Sequence, residues 1–525
     1  MSTLRAASAI SVVTLVSRIL GLVRDTMMTH LLGTSWAMGA FTRAWAIPNL
    51  LRRLFGEGAL SAALVPAFAR ARTRCDAEAK DLLAGVTGAL GLGLTLLTVL
   101  VTVTCLLLPP DSVGLDPNAA GVPRHESGRL LLDLTLVLFP YVIPICLAAT
   151  YAGVQNALGQ FALPAASPVL LNVLWIGGIV AAGHLGLSDG RSVTMFVAAM
   201  LLVGGFAQLA LGVVPLARRG FLPRPRLPRR GDASAAVFGA MAPTMLGLSV
   251  AQLSILVSQN LAEYLTGPGS STHIYLANRL LLFPHALTAL AAATAVFPTL
   301  SLLAAQGDLA GVKRKLDVAV HGTLILAFPA ALGLWALSDE LVSVAFVHGS
   351  YTEADAQRTA LATGYLVAGL PFLSVAQLYA RALYALADTR TPAIASVVLL
   401  AVNVVANLVF VLGFRMGTEG LTLATSLCSL LNAVWLRARL RTMLPSGRPS
   451  VGPMLRIVVA SAGMTVAVAG STHLVPAAGR VARAVWHLML PVTIGIATYA
   501  LLHVACGGRE LLDLVGRRLR RSARR

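Results

Sequence analysis

The sequence predicts an all-α polytopic membrane protein: about 14 transmembrane helices, two six-helix lobes around a central cavity, and two further C-terminal helices. Three observations carry this prediction. The 525 residues are 57% hydrophobic and 12% charged, against roughly 25% charged in soluble domains. Fourteen apolar segments succeed one another, each near the roughly 20 residues that cross a bilayer as helix, and no loop is long enough for a soluble domain. The loop charges alternate in bias along the chain, as membrane topology requires.

The segments run 6–32, 36–69, 82–108, 129–153, 161–183, 193–216, 235–265, 272–304, 316–338, 357–385, 392–413, 419–441, 452–474 and 484–506. The first is too long for a signal-peptide core and lacks a clean cleavage site, so it is read as a retained helix. An even count puts both termini on one side. The loops on that side are basic: Arg70, Arg72, Arg74 and Lys80, then Arg218, Arg219, Arg224, Arg226, Arg229 and Arg230. Lys313, Arg314 and Lys315 follow, then Arg437, Arg439, Arg441 and Arg448, and last the arginine-rich tail. The opposite loops are acidic or mixed, with Asp111, Asp116, Arg124 and Glu126, then Asp189 and Arg191, then Asp339, Glu340, Glu353 and Asp355. The positive-inside rule therefore predicts cytoplasmic termini. The expected organisation is an N-terminal lobe over 1–220, a C-terminal lobe over 221–445, two extra helices over 446–508 and a basic tail over 509–525.

Glycine and proline recur inside the spans, among them Gly21, Pro48, Gly56, Pro66, Pro140, Pro144, Pro284, Pro298 and Pro371. In a bundle this pattern predicts kinked or broken helices lining a cavity. Segments 2 and 8 resemble each other weakly: Ala44–Phe68 and Ala277–Leu300 both carry arginine early and proline near the end. That repeat is the basis for two lobes of parallel arrangement.

The net charge is +19, from 41 Lys+Arg against 22 Asp+Glu, and much of it lies in loops and tail. No base-reading motif or zinc spacing accompanies it, so no nucleic-acid partner is expected. The five cysteines are scattered without a CxxC and read as small hydrophobes.

The chemistry lies in arginines placed where hydrocarbon should be. A charge at the bilayer centre costs roughly 2.5 to 3.5 kcal/mol on insertion scales, so each implies a wet, protein-lined interior. Arg18 and Arg24 sit in segment 1, with Asp25 beside Arg24. Six residues turn a helix by about 600°, so an unbroken helix would set the two arginines on different faces. Gly21 between them is expected to loosen the helix and let both turn inward. Asp25 either holds Arg24 inside or marks with it a helix end snorkelling to the interface. Segment 2 carries Asn49, Arg52, Arg53 and Glu57. Arg53 and Glu57 are four apart and can pair along a helix, leaving Arg52 without an obvious intrahelical partner. Arg279 lies early in segment 8. A guanidinium fork suits phosphate oxygens, so converging arginines point to an anionic ligand: a lipid, a nucleotide or a polyanion.

The stretches SRILGLVRD, AIPNLLRRLFGEGALSAALVPAF and YLANRLLLFP, together with ALADTRTP at Ala385–Pro392, closely resemble the MurJ (MviN) family over essentially the whole chain. The resemblance implies the fold of the multidrug/oligosaccharidyl-lipid/polysaccharide exporters. It implies a flippase that moves lipid II, the undecaprenyl-pyrophosphate-linked peptidoglycan precursor, from the cytoplasmic to the periplasmic leaflet of the bacterial inner membrane. The family's functional arginines match Arg18, Arg24, Arg52 and Arg279, and its motifs also cover Asp25, Asn49, Arg53 and Glu57. A low-affinity sodium site is implied at Asn403, Asn407 and Thr425. The extra helix pair is implied to hold the lipid tail. Two positions depart from the family: Gly39 and Leu282 stand where many or some relatives carry acids.

No cofactor and no enzyme activity are expected. With no GxxxxGK[ST] motif, the drive is assigned to the membrane potential or an ion gradient, with sodium or chloride as the coupling ion. Expected partners are lipid II, membrane lipids and, as candidates, cell-wall synthesis proteins. The alternatives are a related lipid-linked oligosaccharide flippase, a drug/cation antiporter of the same fold, or a membrane glycosyltransferase. An antiporter for cations would want acids in its cavity. A transferase would want carboxylates in a large outer loop, and loops 109–128 and 339–356 are short.

Overall fold

The computed structural model describes residues 3–56, 59–222, 224–227, 232–286, 288, 291–445, 451–472 and 484–508. Glu57, Arg229, Arg230, Arg448, Arg480, Arg483 and the tail beyond 508 lie outside the described residues. Within them the chain is helical, and each expected segment holds a helix or a broken helix pair. Among the described residues nine helices are long and apolar enough to cross a membrane, or ten if one bent pair counts as a single span.

The chain forms two compact units. The first comprises residues 1–272 and a short return segment, 348–351. It opens with α1 (Thr3–Leu32), which turns through Gly33 at φ +56° into Ser35. The Ser35 hydroxyl caps α2 (Trp36–Leu51) by accepting from Met38 N. Pro48 lies near the end of α2, and a π-helical turn over Arg52–Gly56 leads to α3 (Ala59–Arg74). Thus segment 2 is broken, as its glycines and prolines led one to expect. The Cys75 thiol caps α4 (Asp76–Leu107), whose Leu96, Leu100, Leu106 and Leu107 are exposed. Two short helices, α5 (Pro110–Val113) and α6 (Pro117–Ala120), precede α7 (Arg124–Leu138). Pro140 sits in a 3-10 turn that joins α7 to α8 (Val142–Ala157). Then come α9 (Ala162–His184), α10 (Gly190–Arg218), capped by Asp189, and α11 (Ala233–Leu265).

This unit extends beyond residue 220, the lobe boundary read from the sequence, because α11 packs against α2, α3 and α4. Its centre is aromatic. Trp45 stands 5.2 Å from Trp175 and 5.3 Å from Tyr141, and Phe41 stands 5.7 Å from Trp175, ring centre to ring centre. Such tilted and edge-to-face pairs add to plain area burial and fix the rings. The return segment is clipped to the end of α1: Ser350 N donates to His30 O at 2.9 Å and Ser350 Oγ to Leu31 O at 3.1 Å.

Helix α12 (Ser270–His285) begins in the first unit and continues in the second. The second unit holds α13 (Ala291–Ala305), α14 (Leu309–Ala336), α15 (Ser338–Phe346), α16 (Glu353–Val367) and α17 (Leu370–Ala385). It ends with α18 (Arg390–Leu408), α19 (Thr418–Met443), α20 (Val451–Thr472) and α21 (Leu490–Ala505). Segment 8 holds α12 and α13, with Pro284 inside the last turn of α12. Helices α16 and α17 meet at 40° beside Pro371. The core is aliphatic, with Leu324, Leu378, Leu383, Leu436 and Ile457. The extra helices α20 and α21 pack on α14, where Tyr499 Oη donates to Ile325 O at 2.7 Å.

The turn between α17 and α18 is tied by Asp388. Its carboxylate accepts from Thr391 N at 3.0 Å, Thr391 Oγ1 at 2.8 Å and Arg439 Nε at 2.9 Å. Burial pushes this carboxyl up, but the Thr391 bonds and the Arg439 charge outweigh it and hold it below its ordinary value. A carboxyl depressed in the folded state stabilises it above the unfolded value, and the gain is lost as pH falls through the folded one. Asp388→Asn is therefore expected to cost about 1.5 kcal/mol at pH 7. Thermal unfolding in detergent should show that gap closing below about pH 4.

Candidate functional site

The first unit keeps a buried arginine on three supports. Arg24 is 6% exposed and Asp25 2%. Arg24 Nε donates to Asp25 Oδ1 at 2.9 Å, and Nη2 donates to the same oxygen. Arg24 Nη1 donates to Asn172 Oδ1 at 3.1 Å, from α9. The guanidinium lies 3.9 Å above the Trp175 ring, one turn further along α9. Asn172 is itself aimed by α1, since its Nδ2 donates to Ser17 O at 2.9 Å. A charge-assisted fork, an amide and an aromatic face together fix a planar cation inside the bundle.

Of the two readings of Arg24 and Asp25, the structure shows the internal pair. It overturns the expected role of Gly21. Helix α1 runs unbroken through that residue, so Arg18 and Arg24 do not turn to one face through a loosened turn. Arg18 is half-buried.

The second set sits at the break of segment 2. Arg52 and Arg53 begin the π-helical turn and are both half-buried. Arg52 donates from Nε at 3.3 Å and from Nη2 at 3.1 Å to Asn49 Oδ1, three residues earlier. This corrects the expectation that Arg52 lacks an intrahelical partner: Asn49 is on the same face, one turn back. Arg53 Nη1 donates to Gln252 Oε1 of α11 at 3.1 Å. Its expected partner, Glu57, is outside the described residues. Arg279 is half-buried on α12 in the second unit.

The residues expected to hold sodium are all neutral. Asn403 and Asn407 are buried, and Asn407 Nδ2 donates to Asn403 Oδ1 at 3.2 Å. The Thr425 hydroxyl donates to Leu421 O at 3.0 Å. Among the described residues no group of three or more His, Cys, Asp or Glu side chains could hold a metal ion.

Sequence reasoning missed Asn172, Trp175 and Gln252. A lone asparagine in the apolar run of α9 was the available signal, because intramembrane polar groups are rare and usually face the interior.

Comparisons with known proteins agree with this architecture. A family profile described as "Lipid II flippase MurJ" matches residues 28–490. The chain is 33% identical over 501 residues to the probable lipid II flippase MurJ of Bdellovibrio bacteriovorus, covering 94% of this chain and 92% of that one. It is 32% identical over 480 residues to the lipid II flippase MurJ of Burkholderia cenocepacia, covering 90% of each. Among solved structures, a lipid II flippase MurJ in an inward closed conformation has the same fold. The TM-score is 0.77 at 24% identity, covering 96% of this chain and 99% of that one. An inward-facing MATE family transporter of the MOP superfamily shares the fold at TM-score 0.65 and 15% identity, covering 81% and 95%. With the profile spanning most of the chain and relatives above 30% identity over nearly all of it, the chain belongs to the lipid II flippase MurJ family.

Proposed function

We propose that this chain translocates lipid II from the cytoplasmic to the periplasmic leaflet of the bacterial inner membrane by alternating access. It is a transporter and makes or breaks no covalent bond in its substrate. The single observation that carries the head-group site is the Arg24 fork, buried among helices and donating to Asp25 Oδ1 and Asn172 Oδ1. A pyrophosphate presents more charge and more oxygens than a carboxylate. It can take the fork from Asp25, so the guanidinium is paired in the empty and in the loaded site alike. Arg52, held out by Asn49, supplies a second fork, and Arg18 assists. Arg53 and Glu57 complete the motif, and Arg279→Ala, in the other unit, is expected to lower lipid II delivery in the depletion strain.

The alternating loop charges support cytoplasmic termini. Membrane potential or an ion gradient supplies the drive. Sodium would use the neutral oxygens of Asn403, Asn407 and Thr425; chloride is the other candidate. Membrane lipids surround the chain, and cell-wall synthesis proteins are its candidate partners. A drug/cation antiporter of the same fold is disfavoured, because guanidiniums repel cations.

The test is a depletion and rescue experiment in a bacterium whose own lipid II flippase can be switched off. This chain is expected to restore arrival of lipid II at the outer leaflet. Failure of a well-inserted chain to do so would assign it another lipid.

A further inference from the structure

Arg43 lies on α2, nine residues before Arg52, and belongs to neither arginine set described above. It is 2% exposed. Nε, Nη1 and Nη2 are all buried, and none has a hydrogen-bond partner. Its guanidinium carbon stands 5.3 Å from the ring centre of Tyr264 on α11. A guanidinium does not shed its proton, so this is a full charge with five unused donors. The ring face offsets only part of what such burial costs. The nitrogens are sealed from solvent, which leaves no room for a bound anion in this conformation.

The residue beside Tyr264 is Glu263, and it is 1% exposed. Its carboxylate lies over Gly39, one turn before Arg43 on the same helix, where a Cβ at 39 would run into it. Both oxygens are already engaged. Oε1 accepts from Gly269 N at 2.9 Å and Oε2 from Ser271 N at 3.0 Å, at the start of α12. Alongside, the Thr42 and Ser271 hydroxyls meet at 3.0 Å. The Glu263 carboxylate therefore lies against α2 one turn before the Arg43 position, and it is spent on backbone N–H groups.

We propose that Arg43 and Glu263 are a switched charge pair: here Glu263 holds the start of α12, and the transport cycle passes through a conformation in which it releases Gly269 and Ser271 and pairs with Arg43. The uncompensated guanidinium raises the free energy of the present conformation, and the ion pair lowers that of the other. The pair therefore sets the balance between the two. The proposal rests on the transport reading above. It also makes a claim that needs no substrate: Arg43 destabilises the conformation seen here.

The experiment uses the full chain with Arg43→Met, Arg43→Lys, Glu263→Gln and the Arg43→Met/Glu263→Gln double variant. Thermal unfolding in detergent and lipid II delivery in the depletion strain are measured at matched membrane levels. Arg43→Met is expected to unfold at the same temperature as the parent or higher, since it fills the space without the charge. It should still slow delivery roughly tenfold or more. Arg43→Lys should recover part of that loss. Glu263→Gln should be slowed comparably, and the double variant no further than the slower single, because both remove one pair. Arg43→Met with full delivery overturns the proposal. So does a clear fall in its unfolding temperature, which would mean the guanidinium is already paired, and so do losses that multiply in the double variant. Failure of the parent to deliver lipid II counts against the transport reading, while the thermal arm still decides the charge claim.

Discussion

Arg24→Lys is expected to insert and fold with an unfolding temperature close to the parent's, yet lose lipid II delivery by roughly tenfold or more. Lysine keeps the charge beside Asp25, so no buried carboxylate is left alone. It cannot keep the geometry. The fork reaches Asp25 and Asn172 from different nitrogens while its plane lies over Trp175. An ammonium is a point charge without that plane and cannot grip a pyrophosphate through two parallel bonds. Arg24→Ala should also abolish delivery, but it strands Asp25 inside the unit at a cost of about 3 to 5 kcal/mol. The lysine variant is therefore the cleaner measurement. Delivery by Arg24→Lys equal to the parent's would make the arginine structural.

The second large effect is on stability. Gly269→Val is expected to cost about 2 to 5 kcal/mol. Gly269 has φ +82°, a left-handed conformation costly for a β-branched residue, and its Cβ would collide with the Thr34 carbonyl. Neither neighbour can yield easily, because Gly269 N is held by Glu263 and Thr34 lies in the tight turn between α1 and α2. Gly267→Val is the control. It has φ +103° but no atom near its missing Cβ, so it pays the backbone term alone. Thermal unfolding of the two variants should differ by the collision. Equal midpoints would contradict the tight approach at Gly269.

The apolar segments, their breaks and the partner of Arg24 were legible in the sequence because each depends on local rules. Hydrophobic length marks a span. Pro48, Pro140 and Pro371 mark places where segments bend or break. Asp25 adjoins Arg24, so no fold is needed to pair them. The pairing of Arg52 with Asn49 obeys the three-residue helical spacing and was within reach. What stayed hidden depends on contacts between distant helices. Asn172 lies 148 residues from the arginine it holds. Glu263 is the single charge of segment 7 and Arg43 stands nine residues from the next charge of segment 2, and only the packing of α11 on α2 brings the two elements together. The expected loosening at Gly21 failed for the reverse reason. A glycine in a helix is a local cost of about 1 kcal/mol, and a long helix packed against α9 absorbs it.

The central claim is that the pyrophosphate of lipid II takes the Arg24 fork, and Trp175 can report this directly because the guanidinium rests 3.9 Å from its ring. Tryptophan fluorescence of the purified chain would be titrated with lipid II and with an undecaprenyl lipid lacking the pyrophosphate. The same titration in Trp175→Phe isolates this indole from the other five of the six tryptophans. The expected result is a saturable change with lipid II alone, absent from Trp175→Phe. Saturable binding of lipid II with no change at Trp175, or the same change with the lipid that lacks pyrophosphate, would contradict it.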